Sequence, residues 1–413
     1  MTALKRLLLL MLCLCLLGGC TLRPEDDNGF LIFRDTTALR ADASEENKET
    51  DSREIRCCWL SFAELNPNRL LNEEDYLNYL NGVLQPLTRL GVTDLFVHVR
   101  PFADAIYPSD LFESSASVVK RRGDRLPFDF FGLALARAGA LRMRVHAWIN
   151  PYRILSDARK REEIGRDTPL GKLLFDADGA AVMTTESGLW LQPASPTAQK
   201  LILDGVREIL QRYHVAGIHV DDYFYPTDAG EQDAAFYRDY AAAGGTLSLH
   251  AWRCEQVNAL LRSLYRTVHA ADDRLIFSVS PGGNPDADEA ACCADAARWC
   301  SEPGFCDWII PQLYYGFDNG TMPFAKTAKR WASLCSGGVR LIAGLALYKV
   351  GKEDAYAGEA GKREWIQDSG VIARQVRLIR RLGYDGFSLF SARFVNFQEK
   401  VSAKACQKLE RVL

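Results

Sequence analysis

Two adjacent carboxylates follow a short apolar segment in the middle of the chain. In "GIHVDDYFYP" (217–226), Gly217 to Val220 has the composition of a buried strand, and Asp221 and Asp222 come directly after it. Burying an ionised carboxylate is costly and neighbouring carboxylates repel each other, so one of the pair should keep a proton near neutral pH. Such a pair supplies a proton donor and a negative charge, which are the two roles that acid–base catalysis requires.

Polar and aromatic side chains also end several other apolar segments. Side chains alternate between the two faces of a strand, so the apolar members of each segment should face one way and the remaining members a common interior. The interior set is His98 and Arg100, His146, Trp148 and Asn150, His219 and Asp221, with Gln312 and Tyr314 from a later strand. Further aromatic residues close to strand ends are Tyr152, Tyr223, Phe224, Tyr225 and Tyr315. Aromatic faces beside polar groups suit sugar rings, so the pattern predicts a carbohydrate pocket.

Each of these features also has a purely structural interpretation. A single inward histidine is often a hydrogen-bonded core residue, tyrosines pack, and an aspartate can cap a helix. A metal hydrolase is a minor alternative, because His98, His146 and His219 lie on different strands and lack His-x-His or His-x-x-x-His spacing. The sequence has no G-x-S-x-G segment, which argues against a serine hydrolase. We therefore predict no metal and no cofactor.

Eight short apolar segments recur along the chain, with helical patterns between them. The segments are 57–62, 94–101, 144–151, 217–224, 275–282, 307–316, 341–351 and 386–392. Apolar residues at helical spacing occur in 77–87, 202–213 and 257–268. This alternation predicts an α/β fold, a TIM (β/α)8 barrel, with a loop insertion at 151–216 over its carboxyl-terminal face. An open doubly wound sheet is the alternative, but no glycine-rich phosphate turn follows the first strand.

The amino terminus has the features of an export signal. Lys5 and Arg6 precede the apolar run "LLLLMLCLCLL", which ends in "LGGC" with Cys20. This predicts a lipoprotein signal peptide over 1–20, with lipid on Cys20, although an ordinary signal peptide or an uncleaved anchor would also fit. Residues 21–53 are polar and acidic and predict a disordered tether, which leaves the barrel over 54–413. The expected location is extracytoplasmic, with the chain held to the membrane by its lipid anchor.

Charge and cysteine content bear on partners and compartment. The net charge of −3 and the lack of a basic stripe argue against a nucleic-acid partner, and we expect a monomer. The paired cysteines do not have zinc-knuckle spacing. Among Cys292, Cys293, Cys300 and Cys306 either one structural disulfide or buried free thiols are expected.

Several motifs together resemble one protein family. "VHVRPFADAIYPSDLF", "HAWINPYR", "GIHVDDYFYP", "WIIPQLYYGF" and "GLALYKVG" resemble, in order, the bacterial glycosyl-hydrolase-like family ten over about residues 54–395. The resemblance implies a secreted or lipid-anchored TIM barrel, in a family that includes hydrolases of peptidoglycan glycan strands. The positions that match are Arg100, Asp104, Tyr107, His146, Trp148, Asn150, Tyr152, Arg153, Asp221, Asp222, Tyr223, Tyr225, Gln312 and Tyr314, and Glu64 after the first strand. "SPGGNPDADEA" and "LQPASP" depart from the family pattern.

The sequence and the resemblance together predict a glycoside hydrolase that cleaves an amino-sugar polymer of the cell wall. Asp221, Asp222 and Glu64 are the predicted catalytic residues. The other matching positions except Tyr107, together with His98 and His219, are predicted to bind the polysaccharide. A carbohydrate-binding lipoprotein without turnover, or a hydrolase of another polysaccharide, is the alternative. Adjacent aspartates favour substrate-assisted catalysis, with Asp222 as general acid and Asp221 steadying an acetamide. A nucleophilic Asp221 remains the competing mechanism.

Overall fold

The computed structural model describes residues 54–413 except 176–179 and 336–337. The predicted signal peptide, the tether and Cys20 lie outside the described residues. Eight parallel strands close a barrel in the order β1-β11-β10-β9-β8-β7-β3-β2. The barrel strands are β1 (Ile55–Leu60), β2 (Asp94–Arg100), β3 (Arg144–Ile149), β7 (Gly217–Val220), β8 (Ile276–Val279), β9 (Trp308–Ile309), β10 (Arg340–Leu345) and β11 (Gly386–Phe390). All eight predicted strands are present, and the predicted TIM barrel is confirmed.

Helices cover the outside of the barrel. They are α1 (Glu73–Arg89), α2 (Phe130–Ala140), α3 (Pro169–Phe175), α4 (Pro196–Arg212), α5 (Ala234–Ala242), α6 (Leu249–Ala271), α7 (Pro285–Cys292), α8 (Ala296–Ser301), α9 (Phe324–Leu334), α10 (Gly358–Gly361), α11 (Glu364–Gln367), α12 (Val371–Arg381) and α13 (Lys400–Glu410). Short 3-10 helices occupy Phe62–Glu64, Ala158–Glu163, Leu347–Lys349 and Ala392–Phe394. The helical spacing found in the sequence therefore marks α1, α4 and α6, whose apolar faces pack on the strands.

The long segment between β3 and β7 holds the predicted insertion. Strands β4 (Arg153–Leu155), β5 (Val182–Thr185) and β6 (Gly188–Leu191) form a small antiparallel sheet in the order β4-β6-β5. Since β4 follows β3 after three residues, the insertion begins at the carboxyl-terminal end of the barrel, where Arg153 lies.

Buried apolar side chains form two separate groups, one on each side of the strands. The larger group lies between strands and helices and includes Leu95, Val97, Val99, Val145, Ala147, Ile149, Ile218 and Val220. The smaller group fills the barrel and consists of Ile55, Cys57, Trp59, Phe96, Trp148, Trp308, Ile310 and Ile342. The alternation predicted for the second, third and fourth barrel strands is confirmed for these apolar residues.

A bulge near the end of β2 makes the predicted orientation of Arg100 wrong. His98 pairs with Trp148 and Arg100 with Ile149, so Val99 is an extra residue that interrupts the alternation. Arg100 turns toward the helical layer, where its guanidinium lies 4.5 Å from the centre of the Phe112 ring. A Cβ atom on Gly205 of α4 would lie 1.9 Å from Nη1 of Arg100, which shows how closely that helix covers the guanidinium.

All nine cysteines of the described part of the chain are free thiols. The disulfide expected among Cys292, Cys293, Cys300 and Cys306 is therefore not formed, and the structure has the alternative, free thiols. The sulfur of Cys300 instead faces Cys335, at an Sγ–Sγ distance of 3.1 Å. This contact depends on tertiary packing, because Cys300 lies in α8 and Cys335 ends α9, which is distant in sequence.

Among the described residues, no helix combines the length and apolar character that a membrane crossing requires.

Candidate active site

The acid pair lies at the carboxyl-terminal end of β7. Asp221 is 4% exposed, and its Oδ1 accepts a hydrogen bond of 3.4 Å from the backbone N–H of Tyr223. Asp222 is partly exposed. Burial and the charge of Asp222 raise the pKa of Asp221 well above its ordinary value. Burial also raises the pKa of Asp222, while hydrogen bonding from Gln312 and the charge of Arg153 lower it in part. The pKa of both carboxyls is therefore raised, which is the direction expected for two adjacent buried acids.

A third carboxyl, which the sequence analysis missed, lies beside the pair. Burial and the charge of Asp222 raise the pKa of Asp288 to about 7. Its Oδ2 atom is buried without a hydrogen-bond partner. Asp288 belongs to α7, which follows β8 through the "SPGGNPDADEA" segment. Asp288 could have been predicted from its position shortly after a barrel strand, because the loops after all strands meet at the same face of the barrel.

Three side chains from β2 and β3 form the floor of the pocket. The ring of His98 stacks on Trp148 with centroids 3.5 Å apart, and its Nε2 bonds to Oδ1 of Asn150 at 3.1 Å. The Trp148 indole N–H is near enough to Asp221 to lower the pKa of that carboxyl, although no aligned hydrogen bond forms. Nδ2 of Asn150 and Nδ1 of His98 are also buried without partners. Unpaired polar atoms concentrated beside buried acids are typical of a site that binds a polar ligand.

Arg153 and aromatic rings form one wall of the pocket. The Arg153 guanidinium carbon lies 4.0 Å from the centre of the Tyr223 ring and 4.6 Å from that of Phe102. Trp190 of the insertion lies 6.2 Å from Tyr223, centroid to centroid. Tyr223 is 36% exposed. Phe102 and Trp190 were not among the predicted residues, because the first lies in a loop and the second in the insertion.

The opposite side of the pocket comes from the segment after β9. The Gln312 side chain lies near enough to Asp222 to lower the pKa of that carboxyl. Tyr314 lies near both acids, and its own burial and their charges raise its pKa. The Tyr314 ring also contacts Tyr348 and Phe390 at centroid distances of 6.0 and 5.9 Å. The structure thus brings together Asp221, Asp222, His98, Trp148, Asn150, Arg153, Tyr223, Gln312 and Tyr314, as predicted from the sequence.

Glu64 is not part of this arrangement, which corrects the prediction that it is catalytic. Its Oε1 accepts a hydrogen bond from the N–H of Ser61 at 3.4 Å, and Oε2 accepts one from the N–H of Arg393 at 3.0 Å. Ser61 in turn caps the helix Phe62–Glu64, so the two residues form a capping box. Both oxygens are engaged with backbone, and Glu64 ties the loop after β1 to the loop after β11.

His146 and His219 lie deeper in the barrel than the pocket. His146 bonds through Nε2 to Asp94 at 2.8 Å, and Asp94 is the first residue of β2, at the opposite end of the barrel. His219 accepts from Nε1 of Trp59 at 3.0 Å and bonds to Ser278 at 2.8 Å, which occupies both ring nitrogens. Both are inward, as predicted, but they support the barrel interior rather than contact a ligand. With His98 bound to Asn150, the three histidines do not converge on a metal.

Asp104 and Tyr225 have structural partners in place of the predicted substrate, whereas the hydroxyl of Tyr152 is buried without a hydrogen-bond partner. Oδ1 of Asp104 accepts the Phe102 N–H at 3.0 Å and closes a turn. Tyr152 is fully buried in the helix-facing core. Tyr225 donates its hydroxyl to Asp233. Tyr107 lies in the same helix-facing layer as Arg100, with its hydroxyl 3.4 Å from Glu208 of α4.

Two known proteins are similar to this chain in sequence. Glycosyl hydrolase DigH of Escherichia coli K12 is 29% identical over 313 residues, which cover 70% of this chain and 68% of the relative. Glycosyl hydrolase YngK of Bacillus subtilis 168 is 27% identical over 328 residues, 74% of this chain and 62% of the relative.

Solved glycoside hydrolase structures share the fold. The glycoside hydrolase domain of PgaB (BpsB) from Bordetella bronchiseptica aligns with a TM-score of 0.58 and 13% identity, over 87% of this chain and 98% of that chain. The beta-galactosidase from Rahnella sp. R3 aligns with a TM-score of 0.57 and 12% identity, over 87% of this chain and 56% of that chain. At these identities the likeness shows the barrel fold alone.

The sequence profile of the family described as glycosyl hydrolase-like 10 matches residues 54–359. The match spans well over half of the chain, from the residue before β1 into α10, and includes the strands that position the acid pair, His98, Trp148 and Arg153. The family predicted from the motifs is thereby confirmed, and the chain belongs to the glycosyl hydrolase-like 10 family.

Proposed function

We propose that this chain is a lipid-anchored, extracytoplasmic glycoside hydrolase that cleaves glycosidic bonds in a cell-wall amino-sugar polymer, the glycan strands of peptidoglycan. The observation that carries the proposal is the coupled acid pair Asp221 and Asp222, which lies between the Arg153 wall and Tyr314. A binding protein needs aromatic and amide groups for sugars, whereas buried acids with raised pKa values add a cost to folding. That cost is explained when the acids transfer protons.

The placement of the pair favours substrate-assisted catalysis. In an ordinary retaining glycosidase, two acids flank the scissile bond about 5–5.5 Å apart, and one attacks the sugar. Asp221 and Asp222 are neighbours on one strand end, which suits a mechanism in which the N-acetyl group of the sugar is the nucleophile. Asp222, the more exposed of the two, protonates the leaving oxygen. Asp221, buried beside Trp148, steadies the acetamide and the positive charge that develops on the ring.

A nucleophilic Asp221 is the competing mechanism. Glu64 is an unsuitable acid for it, since backbone N–H groups engage both Glu64 oxygens. Asp222 is then the acid, with Asp288 next to it. A thiazoline mimic of the cyclised sugar should inhibit the enzyme under the substrate-assisted mechanism. A 2-fluoro sugar that leaves an ester on Asp221, without inhibition by the thiazoline, would instead establish the nucleophilic mechanism.

The test of the proposed activity is release of new reducing ends from purified peptidoglycan glycan strands. Asp222→Asn should lower the rate by about 10²–10⁴, the usual contribution of a general acid, and Asp221→Asn should have a comparable effect. Asp286→Asn is the matched control, because Asp286 is exposed on α7, close in sequence to Asp288. Binding of the strands without release of reducing ends would favour the carbohydrate-binding alternative. Full activity in both Asp221→Asn and Asp222→Asn would exclude the pair from catalysis.

A further inference from the structure

A second cluster of reactive side chains lies on the helices α6 and α7, outside the pocket. His250 and Cys254 are one turn apart at the start of α6. Glu289 lies in α7, and Cys293, one turn further, is the residue that ends that helix. Residues four apart on a helix share one face, so each helix presents two donors to the other. The usual zinc-binding sequence motifs do not include this pattern, because the four residues come from two helices.

The donor atoms of the cluster converge. Among the described residues, His250, Cys254 and Cys293 form the one group of three or more possible metal ligands found, with donor atoms within 4.8 Å of one another. Nε2 of His250 lies 3.6 Å from Sγ of Cys254 and 2.8 Å from Oε1 of Glu289. The same Glu289 oxygen lies 3.9 Å from Sγ of Cys254. Three donors, from His250, Cys254 and Cys293, therefore converge on one small volume, and a Glu289 oxygen lies close to two of them.

One of these distances already matches the requirements of zinc, whereas the 2.8 Å hydrogen bond between His250 and Glu289 must lengthen if both atoms bind the ion. Zinc bonds of about 2.3 Å to sulfur and about 2.0–2.1 Å to nitrogen, in tetrahedral geometry, set those two donors about 3.6 Å apart. The His250–Cys254 distance already has that value. Two thiolates, an imidazole and a carboxylate form a ligand set for a borderline-soft divalent ion, and four protein ligands are typical of structural sites. We propose that His250, Cys254, Glu289 and Cys293 bind one zinc ion that joins α6 to α7.

Two further features of the cluster support this assignment. Cys293 has φ 57° and ψ 32°, a left-handed conformation that is uncommon for a residue with a side chain and that directs its thiol back toward α6. His250 is exposed, so an ion can enter from solvent.

The consequence of the site concerns α7, which also carries Asp288. The backbone carbonyl of Cys292 accepts a hydrogen bond of 3.0 Å from the N–H of Tyr225, in the loop that follows the acid pair. An ion held by Glu289 and Cys293 would fix the end of this helix against α6. The proposed zinc is thus a structural clamp, and its binding does not depend on the proposed hydrolysis.

The test measures zinc content and ligand chemistry in the full chain, purified with thiols reduced and without chelators. We expect one zinc per chain by elemental analysis. Cobalt(II) should replace it and give the intense near-ultraviolet absorption of sulfur-to-cobalt charge transfer. Cys254→Ser and Cys293→Ser should each weaken zinc binding by more than the about 10–100-fold that loss of an outer-shell partner causes. His250→Gln, at an exposed position, should do the same without affecting the fold.

Cys292→Ser is the matched control, because its thiol is adjacent in sequence but donates to the backbone carbonyl of Asp288 at 3.2 Å. This variant should keep zinc and the cobalt spectrum. A chelator should lower the melting temperature of the wild type and of Cys292→Ser, and leave that of Cys254→Ser unchanged. The proposal is overturned if reduced wild-type protein binds no more zinc than Cys254→Ser. It is equally overturned if Cys254 and Cys293 form a disulfide whose reduction yields no zinc binding.

Discussion

At the scale of single residues, the pocket is defined by three carboxyls whose protonation is set by burial. Burial raises the pKa of all three, and the charge of Asp222 further raises that of Asp221 and of Asp288. Groups of this kind lower the stability of the folded state once they ionise, and natural proteins retain them where a proton must be transferred. The effect on stability and the effect on proton transfer can both be measured at Asp288, whose pKa is raised to about 7 by burial and by the charge of Asp222.

The first prediction concerns the stability of Asp288→Asn as a function of pH. The folded pKa of about 7 lies above the ordinary 3.8, so the stability that protonated Asp288 contributes is complete below 3.8 and is lost as pH rises through 7. The variant has no carboxyl to ionise, so its melting temperature relative to wild type should increase between about pH 4 and pH 7.5. For the control Asp286→Asn, the melting temperature relative to wild type should not increase over this pH range. A pH-independent difference for Asp288→Asn would contradict the environment assigned to it.

The second prediction concerns the pH dependence of hydrolysis in the same variant. The negative charge of Asp288 repels the ionised form of Asp222, so removing it should lower the pKa of Asp222. If Asp222 donates the proton, the alkaline limb of kcat/KM should move to lower pH in Asp288→Asn. Asp288→Glu keeps the charge and should keep the limb near its original position. An unchanged limb in Asp288→Asn would mean that the charge of Asp288 does not act on the proton donor.

At the scale of secondary-structure elements, contacts between strand ends and helices decide which polar residues reach the pocket. The β2 bulge turns Arg100 toward α4, and the Phe62–Glu64 helix engages Glu64 in its cap. Both residues match family positions, yet their contacts are structural. Glu208 of α4 accepts hydrogen bonds from Ser109 and the N–H of Asp110, at 2.6 and 2.7 Å, and so holds the loop after β2 to the same helix.

The third prediction is that Gly205→Ala destabilises the fold. Its Cβ would lie 1.9 Å from Nη1 of Arg100 and 2.5 Å from the Phe112 ring, so α4 must shift outward. Overpacking of this kind typically costs about 1–3 kcal/mol in the free energy of unfolding, measurable by denaturant titration. Gly82→Ala on α1 is the control, because no atom lies within 4 Å of its Cβ. That substitution should be neutral or stabilise by up to about 1 kcal/mol. Equal effects at both positions would disprove the close contact.

The fourth prediction is that Glu64→Gln retains activity and loses stability. The amide offers one acceptor where the carboxylate offered two, so one of the N–H groups of Ser61 and Arg393 loses its partner. Loss of such a cap costs about 0.5–2 kcal/mol. Hydrolysis should fall far less than the about 10²–10⁴-fold loss expected for a catalytic acid. A loss of that size with unchanged stability would restore Glu64 as a catalytic residue.

At the scale of the whole molecule, the chain combines a barrel with an amino-terminal segment of different composition. The barrel forms a compact unit over Ile55–Leu413. The first 53 residues contain the apolar run with "LGGC" and the acidic stretch, whose predicted roles are export and tethering. A lipid at Cys20 would place the barrel at the membrane surface, within reach of a cell-wall polymer.

The fifth prediction concerns that anchor. Cys20→Ala should release the barrel from the membrane fraction, because the lipid-bearing side chain is missing. The control is Cys15→Ala, which changes a cysteine in the same apolar run but leaves "LGGC" intact. This control should remain in the membrane fraction. If Cys20→Ala also stays membrane-bound and keeps its signal segment, an uncleaved anchor is the correct interpretation.

The sequence by itself determined the barrel, the position of its insertion and the acid pair. These features depend on local patterns, since alternation defines a strand, helical spacing defines the covering helices, and Asp221 and Asp222 follow their strand directly. Seven of the residues around the acid pair were also predictable, because the carboxyl ends of all barrel strands meet at one face.

The tertiary structure alone decided the depth and direction of the other side chains. His146 and His219 have the same inward orientation as His98, but the stagger between neighbouring strands places them lower in the barrel. One extra residue in β2 reverses Arg100, and backbone N–H groups of two separate loops engage Glu64. Asp288 joins the acids, and Cys254 meets Cys293, only because helices distant in sequence pack together. Such distances depend on how strands and helices are offset from one another, and the periodicity of a single segment does not contain that information.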